Sequence, residues 1–317
     1  MQTAVLPKPF RHLKNAPRPM TICIAARCET DGGAPKIVFC ADRMISAGLQ
    51  FEHGEAKIQW LNPTSLVLVS SNDSLSSDMI VKNVQAKTGG SSMTTRQIVQ
   101  IFKEECSKFK QARMERDILV PLGFTYESFW KRSTELPKDA IDHILGQLEN
   151  YDYAFQTQFV VIGIDQESQG AYASHIYIVD ENGKDALQDY LGFGVIGSGS
   201  GTAYPDLTKL KWHRNISMTD SLVRIYSAKK AAERMGGVGT ETDLYVLHVF
   251  EGTDKTRRVG LWEATTEVRR LLQSGIDANK QKETEIYTDI LVKVQSIFVR
   301  PQTAQQTTTS GSSTIQT

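Results

Sequence analysis

The stretch that decides the fold is Met20-Thr21-Ile22-Cys23-Ile24-Ala25-Ala26, which is followed after a turn by Ile37-Val38-Phe39-Cys40-Ala41-Asp42-Arg43. Both runs are short, apolar and rich in β-branched residues, and Asp31-Gly32-Gly33-Ala34-Pro35 between them supplies turn formers. The pattern predicts a buried β-hairpin. Thr21 then begins one strand and Asp42 ends its partner, so we expect the two residues to be neighbours across the sheet.

Lys57 follows in the segment Ala56-Lys57-Ile58 and completes a set of hydroxyl, carboxylate and ammonium groups. A threonine hydroxyl becomes a nucleophile when a base takes its proton and a nearby cation favours the ionised oxygen. If Thr21 is the first residue of the mature chain, its own α-amine, with a reference pKa of about 7.7 to 8.0, is such a base. The residue types alone favour a plainer interpretation, in which Thr21 is an ordinary strand residue, Asp42 caps a turn and Lys57 is solvated.

Several segments between Thr21 and Phe250 resemble, in their order and spacing, proteasome β-type subunits and the related bacterial peptidase subunit. These proteins are N-terminal nucleophile hydrolases. The matching segments are residues 21–26, 40–48, 56–58, 194–201, 226–234 and 242–247. The resemblance implies an α+β fold, the four-layer αββα sandwich, with strands, helices, strands, helices and strands in that order.

The resemblance also implies a role for each matched residue. Thr21 is the expected nucleophile, Lys57 stabilises its ionised hydroxyl, Asp42 orients Lys57, and Ser198 hydrogen-bonds near the threonine amine. No cofactor or metal is expected.

Three further residues are expected to contact substrate, namely Ser46, Gly48 and Ser70. Ser70 stands closest to the place where the family carries a glycine whose backbone N–H stabilises the oxyanion.

The sequence departs from the family pattern at three further positions. Met20 stands where a glycine commonly precedes the nucleophile, and Met235 and Val238 stand where an aspartate and a serine usually support it. One hypothesis is that translation begins at Met20, so that loss of the initiator methionine exposes Thr21 directly.

The two ends of the chain are predicted to be tails. Residues 1–20 contain four prolines and no acidic residue, so we interpret them as a tail or propeptide. Residues 300–317 are rich in Thr, Ser and Gln and are predicted to be disordered.

One proteasome-like domain is predicted for residues 21–299. Within it, residues 117–152 form a helical block that we interpret as an insertion, either gating the site, contacting a neighbouring subunit, or simply thickening the helical layer. Added helices are predicted at residues 265–272 and 283–298, within a C-terminal helical region of about 265–298.

Composition excludes several other classes of protein. Lys plus Arg and Asp plus Glu both number 36, so no global basic excess favours nucleic acid or an anionic membrane. No apolar run reaches the roughly 18 residues needed to span a bilayer. The four cysteines lack metal-ligand spacing, and their apolar surroundings indicate reduced core residues in a cytoplasmic protein.

The function expected from the sequence is a threonine-type peptidase that acts on polypeptides within a homo-oligomeric ring, with an ATPase unfoldase as a further candidate partner. Two alternatives stay open. One is a catalytically inactive proteasome-like subunit that keeps the fold and ring contacts. The other is a relative that hydrolyses small amides, because the same groups can attack any carbonyl.

Overall fold

The computed structural model describes most of the chain between Thr21 and Phe298. The predicted tails, residues 1–20 and 300–317, lie outside the described residues. The described ranges are 21–29, 34–47, 49–52, 57–149, 151, 156–167, 170–209, 212–213, 215–235 and 237–298.

Strands and helices alternate in blocks, as the sequence predicted. The strands are β1 (Cys23–Cys28), β2 (Lys36–Asp42), β3 (Met44–Ala47), β4 (Leu49–Glu52), β5 (Ile58–Asn62), β6 (Ser65–Ser71), β7 (Thr157–Gln166), β8 (Tyr172–Asp180), β9 (Asp185–Leu187), β10 (Phe193–Ile196), β11 (Thr242–Glu251) and β12 (Arg257–Glu263). The α-helices are α1 (Ser74–Thr88), α2 (Thr95–Met114), α3 (Tyr126–Arg132), α4 (Lys138–Glu149), α5 (Ser200–Lys209), α6 (Met218–Ala232) and α7 (Thr266–Phe298).

The predicted hairpin forms the centre of the first sheet. Strands β1 and β2 pair antiparallel with Cys23 opposite Ala41, and the sheet order is β10-β1-β2-β11-β12. This register brings Ile22, the residue before β1, opposite Asp42, the last residue of β2. The hairpin prediction is confirmed, and it positions Thr21 beside Asp42.

A second antiparallel sheet, in the order β5-β6-β7-β8-β9, packs against the first. Its apolar side chains and those of the first sheet form one buried cluster, which includes Phe39 of β2, Leu68 of β6 and Ile162 of β7. Burial of this cluster is the main favourable term that holds the sheets face to face.

Helices cover both outer faces. On the second sheet, α1 and α2 bury Ile80 and Phe102 against Phe159. On the first sheet, α6 packs over β1 and β2 and buries Ile225. Helix, sheet, sheet and helix thus succeed one another, and the predicted αββα sandwich is confirmed.

The predicted helical block at 117–152 contains helices. Helix α2 runs into a π-helical turn, Glu115–Leu119, and α3 and α4 follow. Leu119, Phe129 and Ile144 form a small core of their own. Its interpretation as an insertion stays a prediction.

By its internal contacts the chain divides into two compact units, Met1–Thr265 and Thr266–Thr317. In the second unit, both segments predicted as helices are helical, but one helix, α7, runs unbroken from Thr266 to Phe298 in place of the two that the sequence predicted. The polar stretch between them consists largely of good helix formers, and side-chain bonds such as Gln281 to Glu285 (3.2 Å) span successive turns. A single glycine, Gly275, costs only about 1 kcal/mol in such a helix.

In the part of the chain that the structure describes, none of the helices combines the length and apolar content that a membrane crossing requires.

Candidate active site

The site is centred on Thr21, which lies two residues before the start of β1 and is 2% exposed. Its hydroxyl Oγ1 donates a hydrogen bond to Asp42 Oδ1 (2.5 Å), and Asp42, the last residue of β2, is fully buried. The backbone N–H of Ile22 donates to the same carboxylate oxygen (2.9 Å). The predicted pairing of hydroxyl and carboxylate is therefore present, and the backbone fixes its geometry.

The predicted ammonium also lies in contact with the hydroxyl. Lys57 directly precedes β5, and its Nζ donates to Thr21 Oγ1 and to Asp42 Oδ1 (2.8 Å). The Lys57 side chain is 14% exposed, so the ion pair is largely removed from water. Thr21 and Asp42 come from the first sheet and Lys57 from the second, which makes the site a product of the sheet-on-sheet packing.

Ser198 lies on the other side of Thr21, as predicted. Thr21 N donates to Ser198 Oγ (3.1 Å), and Gly199 N donates to Thr21 O (3.2 Å). Thr21 is thereby held at both its backbone nitrogen and its carbonyl.

The close approach of residues 197–199 to Thr21 depends on Gly197, whose φ is +94°. A Cβ at this position would lie 2.3 Å from Thr21 O, a contact that the backbone cannot accommodate without moving. Glycine is therefore required here for both its conformation and its lack of a side chain.

We expect Gly197→Ala to lower the free energy of unfolding by about 2 kcal/mol or more, since it adds left-handed backbone strain to a clash with Thr21. Gly201→Ala is the matched control, because Gly201 lies in α5 with nothing within 4 Å of its added Cβ. Alanine is there expected to be neutral or slightly stabilising. Urea unfolding of both variants measures the difference, and equal effects would contradict the role assigned to Gly197.

Sequence reasoning missed one contact, between Gly239 and the carboxylate. Gly239 N donates to Asp42 Oδ2 (2.9 Å). Because the donor is a backbone N–H, no side-chain type marks it in the sequence.

The two family positions that lack Asp and Ser in this chain differ in burial. Val238 is buried, and its side chain would meet a Cβ added at Gly199, while Met235 is half exposed. The Val238 side chain therefore serves packing, and the neighbouring Gly239 supplies a polar contact to the site through its backbone N–H.

A solved structure, the Anbu (Gly-1) mutant from Hyphomicrobium sp. strain MC1, matches 83% of this chain and 96% of its own length. The sequence identity is 14% and the TM-score is 0.49. The chain resembles Anbu in fold. Comparison with protein-family models found no match, and comparison with curated proteins found none either.

The oxyanion donor predicted at Ser70 faces away from the site. In an antiparallel sheet, successive residues of a strand direct their N–H groups to opposite neighbouring strands, so every second residue points to the same neighbour. Asn72 N donates to Gln156 O (3.2 Å), so Ser70, paired with Gln158, also points towards β7. Val69 N donates to Lys57 O (3.0 Å). Ser71, two residues after Val69, therefore directs its N–H to the same side of β6, the side on which Lys57 lies. The ladder favours Ser71 over Ser70 as a donor.

The other two predicted substrate contacts are on or beside the β3–β4 hairpin. Ser46 lies in β3 and pairs with Gln50 of β4. Gly48 lies outside the described residues. Both stay predictions.

The thiols nearest the site do not compete with Thr21. Burial raises the pKa of Cys23 far above its usual range, and burial raises that of Cys40 to about 12. All four cysteines are buried and free, so at neutral pH these two are uncharged core residues. Among the described residues, no group of His, Cys, Asp and Glu side chains is arranged to hold a metal ion.

Proposed function

We propose that this protein is a threonine-type peptidase of the N-terminal nucleophile class. The observation that carries the proposal is the contact of Thr21 Oγ1 with both a buried carboxylate, Asp42, and a largely buried ammonium, Lys57. A structural threonine has no need of both partners, whereas a nucleophilic one does.

The two charges have different effects on the hydroxyl. An ammonium within hydrogen-bond distance favours the ionised oxygen and so lowers the hydroxyl pKa. The Asp42 carboxylate accepts a hydrogen bond from Lys57 and so directs its Nζ at Oγ1, and the carboxylate is itself held by the N–H groups of Ile22 and Gly239. Lys57 then has no freedom to turn away from the reacting oxygen.

In the proposed reaction the α-amine of a mature Thr21 takes the hydroxyl proton, and Oγ1 attacks the peptide carbonyl. The resulting oxyanion receives a hydrogen bond from a backbone N–H, for which Ser71 is the best placed donor. The amine returns the proton to the leaving nitrogen and leaves an ester on Oγ1. Water, deprotonated by the same amine, hydrolyses that ester and restores Thr21.

Ser198 fits this scheme as the group that orients the amine. Its Oγ lies 3.1 Å from Thr21 N and accepts a hydrogen bond from it. An amine held in this way keeps its lone pair available on the side of Oγ1.

Unfolded polypeptide is the proposed substrate, and a homo-oligomeric ring the proposed assembly, with an ATPase unfoldase as an optional partner. The family resemblance supports both. A closed ring would confine the reactive threonine to a chamber and so protect folded proteins from cleavage.

The proposal requires a free amine at Thr21, and we expect the active form to begin there. N-terminal sequencing and intact mass measure the start of the chain. Labelling with a peptide epoxyketone, which reacts with both the amine and the hydroxyl of an N-terminal threonine, should modify the wild type but not Thr21→Ala. A protein that degrades polypeptides while Thr21 stays blocked would refute the mechanism. A protein that neither reacts nor degrades would be the inactive subunit, and one that cleaves only small amides would be the third alternative.

A further inference from the structure

Lys229 is a buried lysine that the proposed reaction does not use. It lies near the C-terminal end of α6, and its side chain is 0% exposed. Burial lowers the pKa of its ammonium, and the neighbouring Glu233 carboxylate opposes that effect. A buried ammonium is costly unless hydrogen bonds and an opposite charge compensate it.

The compensation comes from one short piece of backbone. Lys229 Nζ donates to the carbonyl oxygens of Gly239 (2.8 Å), Thr240 (2.9 Å) and Glu241 (3.1 Å), and to Glu233 Oε1 (2.5 Å). We call residues 239–241 the linker, since they lead from the end of α6 towards β11. Three successive carbonyls directed at one nitrogen leave the linker little conformational freedom.

The same linker reaches the reacting groups. Gly239 accepts from Lys229 through its carbonyl and donates through its N–H to Asp42 Oδ2 (2.9 Å). Asp42 in turn contacts both Thr21 and Lys57. A continuous series of hydrogen bonds therefore connects Lys229 to the nucleophile.

We propose that Lys229 is a positioning residue, which holds the linker so that Gly239 N–H fixes the orientation of the Asp42 carboxylate. The proposal rests on the proposed function in one respect, namely that Asp42 orients the groups that react. It assigns the supporting role to a lysine and a backbone amide, at the part of the chain where Met235 and Val238 replace the polar residues expected from the family.

Without the ammonium, the three linker carbonyls lose the donor that they share, and the loss destabilises the present conformation most at Gly239, which is buried. The linker then turns its carbonyls elsewhere, and Gly239 N–H moves with them. The Asp42 carboxylate loses one of the hydrogen bonds that restrain it. The distance from Lys57 Nζ to Thr21 Oγ1 is no longer fixed, and small displacements of reacting groups are costly to the rate.

The test replaces Lys229 by methionine, which keeps the length of the side chain and removes the charge. We expect kcat for peptide cleavage to fall roughly 10- to 100-fold with KM little changed, since substrate binding does not involve Asp42. We also expect hydrogen exchange at the Gly239 amide to accelerate by roughly tenfold or more.

Lys230→Met is the matched control. Lys230 is the next residue of α6, and it also pairs with Glu233 (2.8 Å). Of the three linker carbonyls, it contacts Thr240 O, at 3.4 Å. We expect this variant to keep wild-type kcat and Gly239 exchange. A purely structural role for Lys229 would lower the melting temperature of Lys229→Met without changing either readout in the folded protein, and that result would overturn the proposal.

Gly239 exchange separates this proposal from the proposed function. If the wild type hydrolyses nothing, the peptidase assignment fails, while faster exchange in Lys229→Met still supports the positioning role. If Lys229→Met does not fold, Lys229→Gln takes its place, because its amide can still reach part of the linker. If neither folds, the wild type decides: a Gly239 amide that exchanges like an exposed loop amide overturns the proposal, and a protected one supports it.

Discussion

Thr21→Ala is expected to reduce kcat for peptide hydrolysis by roughly 10³-fold or more, because it removes the atom that forms the ester intermediate. The fold should survive, since only a hydroxyl and a methyl group are lost from a position at the start of β1. Initial rates on a fluorogenic peptide and on an unfolded protein measure the effect. Circular dichroism confirms that the variant is folded.

Thr21→Ser is the control for this loss. Serine keeps the hydroxyl and the amine, and its oxygen can still contact Asp42 and Lys57, so we expect most of the activity to remain. Equal cleavage by wild type and Thr21→Ala would exclude Thr21 as the nucleophile, and the inactive-subunit or small-amide interpretation would then need to explain any remaining activity.

Lys57→Met is expected to produce the second largest loss. We expect kcat to fall roughly 10²- to 10³-fold, because the ionised hydroxyl loses the ammonium that stabilises it. Methionine is similar in length, so the cavity left behind is small. The free energy of unfolding should fall by about 3 to 5 kcal/mol, since the variant leaves the fully buried Asp42 carboxylate without its cation.

The matched control is Lys103→Met, which breaks an ion pair of similar length in a different environment. Lys103 Nζ lies 2.7 Å from Asp185, but the two side chains are 34% and 31% exposed. Water screens such a pair, so we expect a loss of no more than about 1 kcal/mol and an unchanged kcat. Urea unfolding of both variants provides the comparison. Similar stability losses at Lys57 and Lys103 would show that the Lys57 pair is not effectively buried.

The sequence was most informative where side-chain type and strand register act together. The apolar runs around Cys23 and Phe39 set the hairpin, and the hairpin alone brings Thr21 and Asp42 into contact. The turn formers and β-branched residues are local signals, and an antiparallel hairpin has only a few registers. Lys57 and Ser198 required the family resemblance, because they reach Thr21 from distant parts of the chain.

The contacts that sequence reasoning missed are made by the backbone. Gly239 donates through its N–H, and Ser71 is favoured over Ser70 by the alternation of the β6 ladder. Neither contact requires a particular side chain, so residue type gives no sign of it. Lys229 escaped notice because it lies on an amphipathic helix, where a lysine is usually solvated. Two helices were predicted at residues 265–272 and 283–298, and the structure joins them in the single helix α7, whose intervening residues include the helix formers Ala278, Lys280 and Gln281.

Thr21 Oγ1 and Lys57 Nζ, which are in contact, are carried by opposite sheets of the sandwich. The distance between these two atoms is therefore set by how far apart the hydrophobic core around Phe39, Leu68 and Ile162 holds the two sheets. If one sheet slid past the other, the contact between Lys57 Nζ and Thr21 Oγ1 would be lost while the hydrogen bonds within each sheet stayed intact. The proposed hydrolysis would therefore depend on how closely the two sheets pack.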